Sequence, residues 1–163
     1  MKENKFEFSY KVFSDISELD EKDASLLQKA REITDIAYAP YSRFHVGAVA
    51  ILTNGEIVAG TNQENASYPV GICAERVLLA AASSNFPGIA VQTMAISYKN
   101  ISNPSNSNHP VSPCGMCRQA LQEFEKRTNH PIRLILAGME GEIFVIERSS
   151  QLLPLGFNSE ELL

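Results

Sequence analysis

The chain has 163 residues, of which 44% are hydrophobic, and carries a formal net charge of −5. This length predicts one globular domain, and the acidic balance without any block of Lys or Arg argues against a nucleic-acid partner. No apolar run is long enough to cross a bilayer and the first residues do not resemble a signal peptide, so we expect a cytoplasmic protein with no membrane partner.

The first predicted element is a strand in an N-terminal extension. Apolar and polar residues alternate from Phe6 to Val12, which indicates an extra strand within residues 1–20. Residues 21–163 are expected to form a single domain. A helix should begin after Asp20, a good N-cap, and stop before Pro40, since the residue preceding proline is pushed out of the helical region.

The remaining elements predict a mixed α/β fold. Asn54-Gly55 is a tight-turn dipeptide and joins two strands into a hairpin. Helices should follow Cys73 and Pro113, because the sequence after each is rich in helix-forming residues. Residues 100–112 are rich in Asn, Ser and Pro and predict a solvent-exposed loop. The predicted strands are Phe44–Leu52, Ile57–Thr61, Ala90–Tyr98, Ile132–Ala137 and Ile143–Glu147.

The three cysteines of the chain, Cys73, Cys114 and Cys117, predict a zinc site. Zinc favours thiolate sulfur, and catalytic zinc sites keep one of four ligand positions open. Glu75 lies where it could move the protons of a metal-bound water. The alternatives are a structural zinc site with a fourth protein ligand, for which His109 is a candidate, and isolated buried cysteines. If the zinc interpretation is wrong, Glu75 is a solvated helix residue.

The predicted helix starts would favour negatively charged sulfur. Backbone N–H groups at a helix N-terminus stabilise thiolates, and three thiolates carry more charge than one zinc ion neutralises. Arg76 could temper this excess as a donor next to the zinc ligands.

The chain contains two zinc motifs, Ile72–Arg76 and Pro113–Gln119, and three further characteristic segments, Ala39–Ala48, Asn54–Gly55 and Asn62–Pro69. With these segments the chain resembles the small homotetrameric cytidine deaminases from about Glu21 to Phe157. This resemblance implies a three-layer α/β/α fold with a central mixed five-stranded sheet and one Zn²⁺ per subunit. It also implies hydrolysis of cytidine and 2′-deoxycytidine to the uridines and ammonia by a zinc-bound hydroxide and a glutamate shuttle, in pyrimidine salvage.

Several residues take substrate-binding roles by this resemblance. By the resemblance, Asn62 and Glu64 would hold the ribose hydroxyls. Both side chains could reach one ligand, because alternate residues of an extended segment point the same way. Phe44 would line the base pocket, and Ala74 would also be a substrate-binding residue. Alternatively, Asn62 and Glu64 are simply polar loop residues, and Phe44 is an aromatic residue of the core.

The resemblance also implies that each site is built by more than one subunit. Tyr68 and Phe157 match positions contributed by a neighbouring chain, and Phe157 would stack on the base bound by an adjacent subunit. A homotetramer acting on a small nucleoside is therefore expected.

Three other functions compete with this one. A blasticidin-S-type aminonucleoside deaminase shares the Pro113–Arg118 motif, but residues 62–69 follow the cytidine enzymes more closely. A nucleic-acid editing enzyme is disfavoured by the acidic charge. A zinc-stabilised binding module would perform no catalysis. The sequence does not decide between ribo- and deoxyribonucleosides, nor whether modified pyrimidines are accepted.

Overall fold

A six-stranded mixed sheet forms the centre of the fold in the computed structural model, which describes residues 1–162. The strand order is β1-β6-β5-β4-β2-β3, and every neighbouring pair is antiparallel except β4 and β5. The expected α/β class is confirmed, but the sheet has six strands instead of five. The strands are β1 (Lys11–Phe13), β2 (Phe44–Leu52), β3 (Ile57–Thr61), β4 (Val91–Asn100), β5 (Arg133–Ala137) and β6 (Ile143–Ile146).

Three helices cover the sheet, α1 (Glu21–Glu32) on one face and α2 (Ala74–Asn85) with α3 (Gly115–Thr128) on the other. Alternate residues of a strand point to opposite faces, so each strand contributes to two cores. Leu78 of α2 and Leu121 of α3 pack in the larger core, and Leu27 of α1 packs in the smaller one. The predicted three-layer arrangement is therefore confirmed. None of the helices within residues 1–162 is both long and apolar enough to span a bilayer.

The sixth strand arises from the N-terminal extension but is shorter than predicted. β1 pairs with β6 in the register Lys11 to Val145 and Phe13 to Ile143. β6 ends at Ile146, which falls opposite Tyr10 in this register, so residues before Tyr10 have no partner on β6. The predicted strand from Phe6 is therefore wrong at its beginning, and Phe6, Phe8 and Tyr10 lie exposed.

Helix α1 begins as predicted and ends early. The Asp20 side chain accepts a hydrogen bond from the backbone N–H of Asp23, which is the expected N-cap. The α-helix stops at Glu32 and continues as a 3₁₀ turn over Ile33–Ile36. The Thr34 hydroxyl donates to the Arg31 carbonyl at 2.7 Å, and such bonds compete with regular helix formation.

The loop after β4 is more closely packed than its composition predicted. Ser107 is buried, its hydroxyl accepts from Asn100 N at 2.8 Å, and its carbonyl accepts from Met139 N. A Cβ on Gly138 would lie 2.2 Å from the Ser107 carbonyl oxygen, so the close contact requires glycine. The prediction of a solvent-exposed loop is therefore wrong at its centre.

Candidate active site

The three cysteine sulfurs meet where the N-termini of α2 and α3 converge. Cys73 and Cys114 are the N-cap residues of α2 and α3, and Cys117 lies in the first turn of α3. Their ligand atoms all lie within 4.8 Å of one another. Pro113 precedes the N-cap of α3, where a missing N–H interrupts no helical hydrogen bond.

The spacing of the sulfurs fits a tetrahedral zinc ion. Cys73 Sγ lies 3.7 Å from Cys114 Sγ, and Cys114 Sγ lies 3.4 Å from Cys117 Sγ. Zinc–sulfur bonds of about 2.3 Å in tetrahedral geometry separate two sulfurs by about 3.8 Å. The three thiols therefore need only small shifts to hold one zinc ion.

Among the residues that the structure describes, no fourth ligand accompanies the three sulfurs. Within residues 1–162, the group of potential metal donors that contains the cysteines includes no histidine and no carboxylate. The proposed fourth ligand, His109, instead lies against the Tyr98 hydroxyl, with its Nδ1 3.2 Å away. This geometry favours an open coordination position over a closed structural site.

The thiols of Cys73 and Cys117 have different pKa values. A hydrogen bond from Cys117 lowers the pKa of Cys73 to about 6. The hydrogen bond to Cys73, together with burial, raises the pKa of the Cys117 thiol. The half-buried Arg76 also favours the Cys73 thiolate through its positive charge. Cys73 is therefore more readily ionised than Cys117, and a thiolate is the form of cysteine that binds a metal cation.

Glu75 lies beside the sulfurs in the first turn of α2 and is 5% exposed. Burial raises the pKa of its carboxyl group, since the charged form loses water. Burial excludes the alternative of a solvated helix residue. A buried carboxyl group with a raised pKa is suited to both accepting and donating a proton.

A cavity of about 600 Å³ opens beside Glu75 and two of the cysteines. Its size falls within the range of small-molecule sites. Of the predicted residues, it brings together Phe44, Asn62, Glu64, Tyr68 and Glu75 with Cys73 and Cys114. The residues of the wall that the sequence did not single out are Ser42, Val46, Gln63, Gly71, Ile72, Ile96, Val111 and Ser112.

Asn62 and Glu64 both face the cavity and are anchored to neighbouring backbone. Asn62 Nδ2 donates to the Phe44 carbonyl at 2.9 Å, and its Oδ1 accepts from Val46 N at 2.8 Å. Glu64 Oε2 accepts from Tyr41 N at 2.8 Å and Ser42 N at 3.2 Å. Burial alone would raise the pKa of Glu64, but these hydrogen bonds outweigh it and lower the pKa.

Three residues predicted to bind substrate lie at the edge of the cavity or outside its wall. Tyr68 is 75% exposed at the cavity edge, where its ring meets that of Tyr41. Phe157 is 55% exposed and does not line the cavity, and its carbonyl accepts hydrogen bonds from Gln119 and Gln122. Ala74 is fully buried and lies outside the cavity wall.

The missed residues carry weak sequence signals. Val111 and Ser112 directly precede Pro113 and Cys114, so their place near the metal ligands could have been inferred from adjacency. Ile96 looks like any other apolar strand residue, and only the fold shows that its side chain reaches the cavity.

Residues 20–130 match the family model described as the cytidine and deoxycytidylate deaminase zinc-binding region. The chain is 34% identical to a cytidine deaminase of Halalkalibacterium halodurans, an alignment covering 84% of this chain and 95% of that protein. The crystal structure of a cytidine deaminase from Burkholderia pseudomallei superposes with a TM-score of 0.69 at 33% identity, covering 82% of this chain and 97% of that one. A blasticidin-S deaminase of Bacillus cereus is similar at 27% identity, over 85% of this chain and 94% of that protein.

Proposed function

Because this chain belongs to the cytidine and deoxycytidylate deaminase family of zinc-dependent hydrolases, we propose that it hydrolyses cytidine and 2′-deoxycytidine to uridine and 2′-deoxyuridine with release of ammonia. The observation that carries the proposal is the position of Glu75 in the wall of a cavity, beside three sulfurs that are spaced to hold a metal ion. Neither the sulfurs nor the carboxylate alone would support hydrolysis of an amino group.

Cys73, Cys114 and Cys117 would hold one zinc ion in each subunit. When bound, zinc supplies the Lewis acidity that makes water a nucleophile near neutral pH. The Glu75 carboxylate takes a proton from the attacking water and delivers it to N3 of the cytosine ring. The water oxygen bonds to C4, a second proton passes through Glu75 to the amino nitrogen, and the C4–N bond breaks to release ammonia. The raised pKa of Glu75 supports this double role.

The other cavity residues would orient the nucleoside. Phe44 would contact the base, and the backbone of Ala74 would approach it from the start of α2. Asn62 and Glu64 would hold the ribose, with Glu64 accepting from the 3′-hydroxyl in a charge-assisted bond. Such a contact is common to cytidine and 2′-deoxycytidine, which supports turnover of both.

The charge of the cavity favours a nucleoside over a nucleotide. The charged residues of its wall are Glu64 and Glu75, and the described part of the wall contains no Lys or Arg. A 5′-phosphate would enter without a cationic partner and close to a carboxylate. We therefore propose an uncharged substrate, used for pyrimidine salvage in a reducing cytoplasm that keeps the thiols free for metal.

We also propose that residues 21–163 form the deaminase domain, that residues 1–20 are an extension of it, and that the chain assembles as a homotetramer. The exposed Tyr68 and Phe157 side chains would then contribute to sites of neighbouring subunits. Light scattering that found a fully active monomer would contradict this assembly.

A substrate panel tests the activity. We expect cytidine and 2′-deoxycytidine to lose absorbance with release of one ammonia per nucleoside, and deoxycytidylate to react at least tenfold more slowly (on the order of 1.4 kcal/mol or more). Preferential turnover of blasticidin S would instead support the aminonucleoside deaminase alternative, which the weaker similarity to the Bacillus cereus enzyme leaves second.

A further inference from the structure

A buried tyrosine outside the metal site touches one residue of the cavity wall and a loop that leads into that wall. We propose that Tyr98 of β4 is a positioning residue for nucleoside binding, which supports Phe44 with its ring and holds the loop over residues 100–112 with its hydroxyl. This inference rests on the proposed function and assigns a role to a residue that does not itself line the cavity.

The ring of Tyr98 lies under that of Phe44. Their centroids are 4.8 Å apart and their planes differ by 20°, which is a stacked arrangement. Tyr98 pairs directly with Val46, two residues from Phe44, so Phe44 and Tyr98 are diagonal neighbours on one face of the sheet. Tyr98 is only 1% exposed, so its ring is fixed by packing and restricts the half-buried ring of Phe44.

The hydroxyl of Tyr98 is bound to the loop. It donates to the carbonyl oxygen of Asn106 at 2.6 Å, and the Nδ1 of His109 lies 3.2 Å away, where an N–H would donate to the same oxygen. One hydroxyl can donate once and accept as well, so both contacts are compatible. This bond joins an exposed loop residue to a buried side chain of β4, so the Asn106 contact holds the loop against the sheet.

The held segment continues directly into the cavity wall. Val111 and Ser112 follow His109 by two and three residues and line the cavity, and Cys114 comes two residues after Ser112. Tyr98 therefore links the Phe44 side of the cavity to the segment that carries Val111 and Ser112. A shift of Phe44 or of the segment with Val111 and Ser112 would alter the space available to the base.

The test compares Y98F and Y98L with Y10F as the matched control. Tyr10 is an exposed tyrosine whose ring lies tilted against that of Phe144, and neither residue lines the cavity. Y98F keeps the stack and loses the hydroxyl contacts, whereas Y98L loses both. For cytidine we expect KM to rise roughly threefold to tenfold in Y98F, and further in Y98L, with kcat within about twofold of the unmodified protein.

A second set of measurements tests whether the rise in KM depends on Phe44 and on the loop over residues 106–112. In an F44L background, Y98L should raise KM less than it does alone, because the stack is already lost. Hydrogen exchange of residues 106–112 should be faster in Y98F than in the unmodified protein and unchanged in Y10F.

The inference is overturned if Y98F leaves KM unchanged, if Y98L acts with equal size in the F44L background, or if exchange in the loop does not change. Failure of the proposed function would be a separate result, seen as no ammonia from either nucleoside with the unmodified protein. The exchange measurement needs no turnover, so it would still decide whether the Tyr98 hydroxyl holds the loop.

Discussion

The sulfur atoms of Cys73 and Cys114 lie 3.7 Å apart, although the two residues are 41 positions apart in the chain. Each cysteine is the N-cap of a helix, and both helices pack on the same face of the sheet. The metal site is therefore assembled by the packing of α2 against α3. Its integrity should depend on the fold, and the stability of the fold should depend on the metal.

Zinc removal tests this dependence. We expect chelation to remove activity and lower the thermal midpoint, because a ligand that binds only the folded state stabilises it. C117S should bind less than one zinc per chain, since Cys117 is buried and supplies one of three sulfurs. Metal analysis and calorimetry measure both effects. A chelated protein that retains full activity would contradict the account.

Glu75→Gln separates catalysis from metal binding. The substitution keeps the size of the side chain but removes the group that carries protons, so we expect kcat to fall by roughly 10² to 10⁴ while zinc content stays at one per chain. The matched control is Glu142→Gln, which changes an exposed carboxylate and should keep full activity. Appreciable turnover by the Glu75 variant would rule out its assigned role.

Glu64→Gln tests the sugar contact. The neutral amide can still accept from Tyr41 N, but it makes a weaker bond to a ribose hydroxyl than a carboxylate does. We expect KM for cytidine to rise about tenfold, equivalent to about 1.4 kcal/mol, with a smaller change in kcat. Glu56→Gln, in the exposed hairpin turn, should change neither constant. Equal KM values for the Glu64 variant and the unmodified protein would remove Glu64 from the site.

The same carboxylate predicts a pH dependence of stability. The folded protein lowers the pKa of Glu64, so its ionised form contributes stability at pH values above the unfolded pKa, and this contribution is lost as pH falls through the folded pKa. The difference in unfolding free energy between the unmodified protein and Glu64→Gln should therefore shrink below about pH 4.3. Urea titrations at pH 7 and pH 3.5 measure it. A difference that grows at low pH would contradict the assigned ionisation.

Gly60→Ala tests how closely α2 must approach the sheet. A Cβ on Gly60 would lie 2.6 Å from both Ala74 O and Leu78 N, so the helix that carries Glu75 would be displaced. We expect a loss of roughly 1–3 kcal/mol of stability together with lower kcat. Gly115→Ala is the matched control, because a Cβ at that position would meet no atom within 4 Å. A stable and fully active Gly60 variant would show that α2 can shift without affecting the site.

Residues before β1 are expected to be dispensable. Residues 1–10 are exposed and form no strand, whereas Phe13, Ile16 and Leu19 pack against the core under α1. Deletion of residues 1–10 should change the thermal midpoint by less than about 2 °C and leave activity intact. Deletion to residue 20 removes β1 and these apolar contacts and should lower the midpoint clearly.

The parts that were predictable from sequence are those fixed by local chemistry. The Asp20 N-cap, the Asn54-Gly55 hairpin and the helices that follow Cys73 and Pro113 all depend on neighbouring residues. The end of α1 at Glu32 and the burial of Ser107 depend on distant partners or on side-chain competition, so periodicity alone did not indicate them. The same holds for Ile96 and Tyr98, whose relation to the cavity requires the register of β2 and β4.

Protein loaded with one zinc ion per chain and incubated with cytidine provides the most direct test of the account, with the ammonia released counted against the cytidine lost. The account predicts a one-to-one ratio and the appearance of uridine. No ammonia from cytidine or 2′-deoxycytidine in the zinc-loaded protein would contradict it.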